Sequence, residues 1–209
     1  MRCMDIFFMG AEFLGSCSSG ASTSPHTAMT VLLLTGACGS GKSTVARLVG
    51  RERGWVHISE DEVWERTFRK DRGPLGTDEH RRKRQEVHRM VFEQIAAHIQ
   101  SGRRVVIDAT VHESPPESYR EYEAFFRDNQ IEWTLRVLHP RVDVAIRRDR
   151  LRMGWHAGED GVRRLHSKFT FKVFPGECFI DTSDQTPEET ARLLVDTFGV
   201  QGHSHQRPL

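Results

Sequence analysis

Residues 31–50, VLLLTGACGSGKSTVARLVG, constrain the fold more than any other part of the chain. The segment opens with an apolar run, VLLLT, that is typical of a buried strand. Residues 36–43 then match the pattern G-x-x-x-x-G-K-[ST] in full, and an amphipathic helical pattern follows. Because this pattern requires a strand before its glycines and a helix after them, the segment predicts a loop that binds a nucleoside triphosphate.

The chemistry of this loop is expected to come mainly from its backbone. Glycines let the chain curl so that successive N–H groups point at phosphate oxygens, and the helix adds its positive N-terminal end. We expect Lys42 to reach the outer phosphates and the hydroxyl of Ser43 to coordinate Mg²⁺. We interpret Cys38 as a small space-filling residue rather than a nucleophile. The residues predicted to bind the nucleotide are Gly36, Ala37, Cys38, Gly39, Ser40, Gly41, Lys42, Ser43 and Thr44.

Strand and helix patterns alternate along the rest of the chain. Further strands are predicted at 55–59, 104–110, 132–139 and 178–182. Helices are predicted at 42–53, 61–69, 78–100, from Ser114 onwards, at 141–152, up to about Lys168 and at 186–199. This order predicts an α/β fold in which helices cover both faces of a five-stranded parallel sheet. Such sheets bind ligands at the carboxyl ends of their strands.

The length of 209 residues favours one compact domain, which we expect to span residues 30–199. Residues 1–28 differ from the rest, because an apolar patch there precedes a Ser/Gly/Thr tract. Three interpretations of them are open: a secretion signal, a disordered leader, or a start codon chosen upstream of Met29. We expect one of the last two, and a disordered tail at 200–209.

Composition and charge bear on the protein's partners, its cellular location and its oligomeric state. The formal net charge is only +1, so the chain has no overall electrostatic footprint for nucleic acid. Its four cysteines are scattered, which favours a reducing, cytoplasmic location over a disulfide framework. No apolar run is long enough to span a membrane. We expect a monomer, because a chain of this size can bury its own core.

Two carboxylates are predicted to lie just past neighbouring strands. Asp61 follows the second strand, where it can accept a proton from an incoming hydroxyl or hold Mg²⁺ through water. Glu60 and Glu62 compete for this role, although acids are favoured in the first turn of any helix. Asp108 ends the apolar run VVID and suits a metal-bound water or a substrate, or else it is a simple turn acid. Thr110 and His112 follow it and are candidates for lining the acceptor site.

The segment 136–172 is strongly basic, with ten Lys/Arg residues against four Asp/Glu residues. Arg148 and Arg152 are four residues apart and are predicted to share one face of a helix, whereas Arg147 and Arg150 project elsewhere. Arginines that close over a phosphoryl group in transfer stabilise its negative charge. The glycine-containing loop after this helix therefore predicts a mobile lid, with a solvated basic helix as the alternative.

We expect the phosphate acceptor to bind residues between 63 and 90. Arginine and aromatic side chains there suit an anionic or ring-containing acceptor, although a solvated basic helix face explains the arginines as well. The candidates are Trp64, Arg66, Phe68, Arg69, Arg81, Arg82, Arg84 and His88.

Five segments, GACGSGKST, HISEDEVW, VVIDAT, AIRRDRLR and FIDTSDQTPEE, together resemble the small P-loop kinase group. This branch of the P-loop NTPase superfamily includes shikimate and gluconate kinases, chloramphenicol phosphotransferase and the 5′-hydroxyl kinase domains of polynucleotide kinases. The resemblance covers most of residues 30–199 and implies a three-layer fold with a helical lid. It also implies ATP and Mg²⁺, an acceptor hydroxyl handled by Asp61, phosphate contacts from Arg148 and Arg152, and adenine near residues 182–186.

The sequence departs from shikimate kinases in two places. Their usual D-x-D pair after the second strand is replaced by Ser59-Glu60-Asp61, and no run of three glycines follows the third strand. Shikimate is therefore not the expected acceptor. We expect a kinase that phosphorylates a hydroxyl of another small molecule. A polynucleotide 5′-hydroxyl kinase and a nucleotide-dependent switch without an acceptor stay open as alternatives.

Overall fold

The computed structural model describes residues 31–69, 71–74, 76–111, 117–172 and 174–200. These residues form a five-stranded parallel sheet with the strand order β2-β3-β1-β4-β5, which confirms the predicted fold class. The strands are β1 (Val31–Thr35), β2 (Val56–Ser59), β3 (Val105–Asp108), β4 (Trp133–Leu138) and β5 (Phe179–Ile180). The helices are α1 (Lys42–Arg53), α2 (Glu60–Phe68), α3 (Asp78–Gln100), α4 (Glu117–Asp128), α5 (Val142–Arg150), α6 (Gly158–His166) and α7 (Pro187–Val200).

The central strand β1 is buried along its whole length, because helices cover both faces of the sheet. Val31 and Leu33 face a core that includes residues of α2, α3 and α4. Leu32 and Leu34 face the opposite core, which includes residues of α1 and α7. Burying each leucine contributes about 1.5–3 kcal/mol, so the apolar run fixes β1 at the centre of the domain.

Helix α3 buries one apolar stripe against the sheet. Val87, Val91 and Ile95 are fully buried on its inner face. The helix begins after Thr77, whose side chain accepts a hydrogen bond from the backbone N–H of His80 at 3.2 Å. It ends before Gly102, which has φ +71° and donates its N–H to the carbonyl of Ile99 at 2.8 Å.

Several predicted boundaries are wrong by a few residues. Strand β3 ends at Asp108 rather than Thr110. Strand β5 keeps only Phe179–Ile180, because Cys178 belongs to a 3₁₀ turn and the chain leaves the sheet after Ile180. Helix α5 ends at Arg150 rather than Arg152. The predicted helix start at Ser114, the residue His112 and the predictions for residues 1–28 and 201–209 lie outside the described residues.

The early end of α5 has a local cause in Asp149. Its buried carboxylate accepts hydrogen bonds from the backbone N–H groups of Ala157 and Gly158, each at 3.1 Å. These bonds turn the chain back so that α6 packs against α5, with Ala145, Ile146 and Val162 in their shared core. Residues 151–157 are left as an exposed loop between the two helices. In the part of the chain that the structure describes, no helix has both the length and the apolarity needed to cross a membrane.

Candidate active site

The glycine-rich loop lies between β1 and α1 and packs tightly against neighbouring backbone. Gly39 has φ +77°, and a Cβ atom there would lie 2.0 Å from the carbonyl oxygen of Ala145 in α5. At Gly36 a Cβ atom would lie 2.4 Å from the carbonyl oxygen of Leu138, at the end of β4. Both distances are far below van der Waals contact, so only glycine fits at these two positions.

The end of the loop leaves the positive end of α1 open to a ligand. Helix α1 begins after Gly41, no side chain caps it, and its first turn contains no acidic residue. Ser40 is buried, and its hydroxyl has no hydrogen-bond partner among the described residues. Backbone N–H groups without capping side chains, together with the helix dipole, favour a bound anion.

A cavity of about 560 Å³ opens at this helix end, within the usual size range of small-molecule sites. It joins the predicted loop to the region after α5 and to the chain after β5. The lining residues are Ala37, residues 39–45, Arg47, Arg148, residues 151–153, Thr182, Gln185, Pro187 and Thr190.

Cys38 packs against the core between α5 and α6, in agreement with a space-filling role. Burial raises the pKa of its thiol, although the nearby charge of Lys42 acts in the opposite direction. A thiol with a raised pKa is a poor nucleophile near neutral pH.

Asp108 is buried at the carboxyl end of β3, beside Ser43 at the start of α1. Its Oδ1 atom accepts hydrogen bonds from the hydroxyls of Ser43 and Ser59, both at 3.2 Å. Its Oδ2 atom lies 2.6 Å from Nε2 of His57 in β2. Parallel pairing places Asp108 opposite Ser59 of β2 on one side and Leu34 of β1 on the other, which brings these groups together.

A hydroxyl and a carboxylate oxygen at this position suit Mg²⁺, which prefers oxygen ligands and keeps several waters. Among the described residues there is no group of three or more His, Cys, Asp or Glu side chains that could hold a metal ion. An ion here would therefore take its other ligands from water and phosphate oxygens. His57 is absent from the predicted site, although a polar residue between Val56 and Ile58 in a buried strand was a signal for it.

The three acids at the start of α2 have different surroundings. Asp61 is exposed and forms an ion pair with Arg72. About half of its side chain is accessible (48%), and the burial of the rest would by itself raise its pKa. The charges of Lys42, Arg72 and Arg152 outweigh that burial and hold the pKa of Asp61 below its ordinary value. Asp61 is thus ionised near neutral pH, and the positive charges of Lys42 and Arg152 stabilise its carboxylate.

Glu60 points into the core instead. Its Oε2 atom accepts a hydrogen bond from the hydroxyl of Tyr122 at 3.1 Å and lies 3.8 Å from Nε2 of His88. Glu62 is exposed beside Asp61. Of the three acids, Asp61 is therefore the one with charged groups of the glycine-rich loop and of residues 151–157 around it.

Arg148 and Arg152 both line the cavity but do not share a helix face as predicted, because α5 ends between them. The guanidinium of Arg148 donates to the carbonyls of Thr182 at 2.8 Å and Gln185 at 3.3 Å. Burial and the neighbouring charge of Arg147 lower the pKa of Arg148. Arg148 therefore fixes the chain after β5, whereas Arg152 is exposed on the cavity wall.

The predicted acceptor residues are divided by the packing of α2 and α3. Trp64, Arg84 and His88 are buried. Arg81 is exposed and pairs with Asp78, and Arg69 ends α2 with a left-handed φ of +49°. Arg72 is a charged neighbour of Asp61 that the sequence did not indicate.

The sheet, the glycine-rich loop and the cavity at its helix end define a P-loop nucleotide-binding domain. The chain belongs to the AAA_33 family, described as an AAA domain, whose model matches residues 31–170. No protein with a curated description matches the chain.

Solved structures of kinases share this fold. A shikimate kinase from Acinetobacter baumannii in complex with shikimate aligns with a TM-score of 0.59 and 17% identity, over 84% of this chain and 96% of that chain. A gluconokinase from Sinorhizobium meliloti aligns with a TM-score of 0.57 and 16% identity, over 84% and 99%. The Pnkp1/Rnl/Hen1 RNA repair complex aligns with a TM-score of 0.54 and 24% identity, over 71% of this chain and 46% of that chain. These likenesses confirm the resemblance to the small P-loop kinase group at the level of fold.

Proposed function

We propose that this protein is a kinase that transfers the γ-phosphate of ATP to a hydroxyl group of a small molecule. The observation that carries the proposal is Asp61, a carboxylate just past β2 at the same edge of the parallel sheet as the P-loop. Partial burial would raise its pKa, but Lys42, Arg72 and Arg152 together hold that pKa low, so the carboxylate is ionised. Lys42 lines the cavity at the P-loop, whereas Asp61 does not. The carboxylate of Asp61 can therefore orient the hydroxyl of a second substrate and accept its proton, which a kinase requires.

In the proposed reaction the acceptor oxygen attacks the γ-phosphorus and forms a new P–O bond. The bond between that phosphorus and the β–γ bridging oxygen breaks, and ADP leaves with the electron pair. The proton of the hydroxyl passes to Asp61. Lys42 and Arg152 stabilise the negative charge on the transferred group, and Arg148 keeps the chain after β5 in place at the nucleotide.

Ser43 and Asp108 would hold Mg²⁺, Ser43 through its hydroxyl and Asp108 through water. When bound, the ion neutralises charge on the β- and γ-phosphate oxygens. The hydroxyl of Ser59 and the ring of His57 both bind the carboxylate of Asp108. These contacts keep the carboxylate oriented toward Ser43.

A second candidate, a polynucleotide 5′-hydroxyl kinase, is favoured by the 24% identity to a chain of the RNA repair complex. The two candidates differ in the size and charge of the acceptor. Transfer to an oligonucleotide would weaken steeply with added salt, whereas transfer to a small acceptor would not.

The test is a transfer assay with ATP, Mg²⁺ and pooled hydroxyl compounds, in which products are identified by mass. The pools contain sugars, sugar acids, nucleosides, nucleotides, antibiotics and a short 5′-hydroxyl oligonucleotide. We expect a phosphorylated small product that disappears with Lys42→Ala. Asp61→Asn should reduce kcat about 100-fold or more while ATP binding is kept, and Glu62→Gln, its exposed neighbour, serves as the matched control. ATP binding without a product in any pool would contradict the kinase proposal.

A further inference from the structure

Two histidines join helix α6 to the carboxyl end of β4. His139 directly follows β4, and its backbone N–H donates to the carbonyl of Ile180 in β5 at 2.9 Å. His166 is the last residue of α6, and the centroids of the two imidazole rings lie 4.0 Å apart. The ring of His139 also contacts Phe179 edge to face, at 5.3 Å between centroids. Among the described residues, neither histidine lines the nucleotide cavity, and the proposed transfer uses neither. We call these two residues the histidine pair.

The surroundings of His139 favour an uncharged ring. Its Nε2 atom is buried and has no hydrogen-bond partner among the described residues. Burial, together with the positive charge that His166 can carry, lowers the pKa of His139. Asp181, which follows β5, and nearby backbone groups favour the charged ring, but they do not outweigh the burial. The next charged residue along the chain, Arg141, is already paired with Asp184 at 2.9 Å.

His166 keeps its own hydrogen bond whether or not it is protonated. Its Nε2 atom lies 2.8 Å from the carbonyl oxygen of Pro140, and because a carbonyl only accepts, Nε2 must carry a hydrogen. Protonation of the pair therefore adds charge without adding a bond at this position. Two positive rings 4.0 Å apart in a partly buried contact repel each other more strongly than they would in water.

This contact should weaken as the pH falls. When α6 separates from β4, His139 meets water and its pKa returns to about 6.5. With α6 in place the pKa of His139 is lower, so the packed state binds fewer protons than the separated state. The stabilisation is therefore complete above about pH 6.5 and is lost as the pH falls through the lower value.

The position of α6 matters for the nucleotide cavity because α6 supports one of its walls. Val162 of α6 packs in one core with Ala145 of α5, whose carbonyl oxygen lies against the P-loop at Gly39. Residues 151–157 join the two helices, and Arg152 from this loop lines the cavity. Separation of α6 from the sheet would therefore loosen the wall that these residues form.

We propose that the histidine pair is a pH-sensitive contact that holds α6 in place near neutral pH and releases it on acidification, so that ATP binding weakens. The proposal concerns the regulation of nucleotide binding and goes beyond the proposed transfer reaction. It can be tested without knowing the phosphate acceptor, so its failure is distinguishable from a failure of the kinase function.

The first test measures amide hydrogen exchange in α6, corrected for the effect of pH on exchange itself. In the wild type we expect exchange in α6 to rise about 10-fold or more between about pH 7.5 and about pH 5.5. His139→Phe keeps a ring that packs on Phe179 but cannot take a proton, so it should show little change. His98→Gln is the matched control, because burial also lowers the pKa of His98, on α3. It should keep the wild-type response.

His166→Gln gives a second, independent variant, because its amide can still donate to Pro140 but adds no charge next to His139. We expect it to reduce the response of α6 to acid about 2-fold or more. An equal response in the wild type, His139→Phe and His166→Gln would overturn the inference, as would a wild type in which α6 does not respond.

The second test follows ATP binding by calorimetry over the same pH range. Protonation of ATP itself affects all the proteins alike, so the differences between them are compared. We expect the wild type and His98→Gln to lose about 5- to 10-fold more affinity on acidification than His139→Phe. Equal losses in the three proteins would overturn the link between α6 and the nucleotide cavity.

Discussion

The nucleotide side of the proposed active site is shaped by backbone, whereas the proposed acceptor side is shaped by side chains. Around the P-loop, Gly36 and Gly39 press against the carbonyls of Leu138 and Ala145, and the start of α1 has no capping side chain. On the other side, Asp61 and Arg72 meet as the tips of two side chains, one on a helix and one on a loop. Backbone geometry tolerates little variation, but side chains can be exchanged without changing the fold. The same architecture can therefore keep one nucleotide site and serve different acceptors.

The largest expected effect is at Gly39, where the backbone side of this comparison is most constrained. Gly39→Ala adds a Cβ atom 2.0 Å from the carbonyl oxygen of Ala145 at a left-handed φ. We expect ATP binding to weaken about 100-fold or more, measured by calorimetry. Gly54→Ala is the matched control, because Gly54 has φ +67° and open space around its Cβ position. It should cost about 1–2 kcal/mol of stability without changing ATP affinity. Normal ATP affinity in Gly39→Ala would contradict the claim that close backbone packing shapes the nucleotide site.

A smaller effect is expected on the acceptor side, at Tyr122. Its buried hydroxyl donates to Glu60, which precedes Asp61 at the start of α2. Tyr122→Phe leaves that carboxylate short of one donor, and we expect the free energy of unfolding to fall by about 1–3 kcal/mol. Turnover should fall because the first turn of α2 is less firmly held, whereas ATP affinity should stay within about 2-fold of wild type. Denaturant unfolding and ATP titration measure the two effects. A parallel loss of ATP affinity would show that the two sides are not independent.

The same contrast explains what could be predicted from the sequence. The P-loop is a local pattern of eight residues, so the loop, its strand and its helix follow from the sequence directly. Asp108 could be placed because parallel strands bring their carboxyl ends to one edge of the sheet. The predicted end of α5 was wrong because it depends on hydrogen bonds from Ala157 and Gly158 to Asp149. These bonds join residues eight and nine positions apart, which helical periodicity does not indicate.

The acceptor side was harder, because it depends on which face of each helix is buried. Arg84 and His88 were expected at the acceptor, yet they lie on the stripe of Val87, Val91 and Ile95 and are buried with it. Helical spacing alone contained that information. Arg72 could not be found in this way, because a loop has no periodicity that indicates where its side chains point. Its position depends on tertiary contacts with Asp61 and Trp64.

The charged contacts between α3 and α4 predict a pH dependence of stability. Burial alone would raise the pKa of Glu121, but its pairing with His88 and the nearby Arg84 holds that pKa below its ordinary value. Because the folded state has the lower pKa, this stabilisation is present above about pH 4.3, the pKa of an unfolded glutamate, and is lost as pH falls through the folded value. We expect Glu121→Gln to be less stable than wild type at pH 7 and to lose less further stability between about pH 5 and pH 3. Unfolding curves at several pH values measure this, with Glu123→Gln on the same helix as the control. Equal pH slopes in Glu121→Gln and wild type would contradict it.

The smallest expected effect tests whether the chain after β5 owes its position to the cap of α7 or to Arg148. Thr186 and Glu189 form a capping box at the start of α7. Glu189 accepts a hydrogen bond from the backbone N–H of Thr186 at 2.8 Å, and the hydroxyl of Thr186 accepts one from the backbone N–H of Glu189 at 3.1 Å. Thr186→Ala should cost about 0.5–1 kcal/mol and lower the melting temperature by a few degrees. ATP affinity should change by less than about 3-fold, because the bonds from Arg148 to Thr182 and Gln185 remain. Arg148→Ala should show the opposite pattern, with a clear loss of ATP affinity. If Thr186→Ala weakens ATP binding as much as Arg148→Ala does, the helix cap and not the arginine sets this wall of the nucleotide cavity.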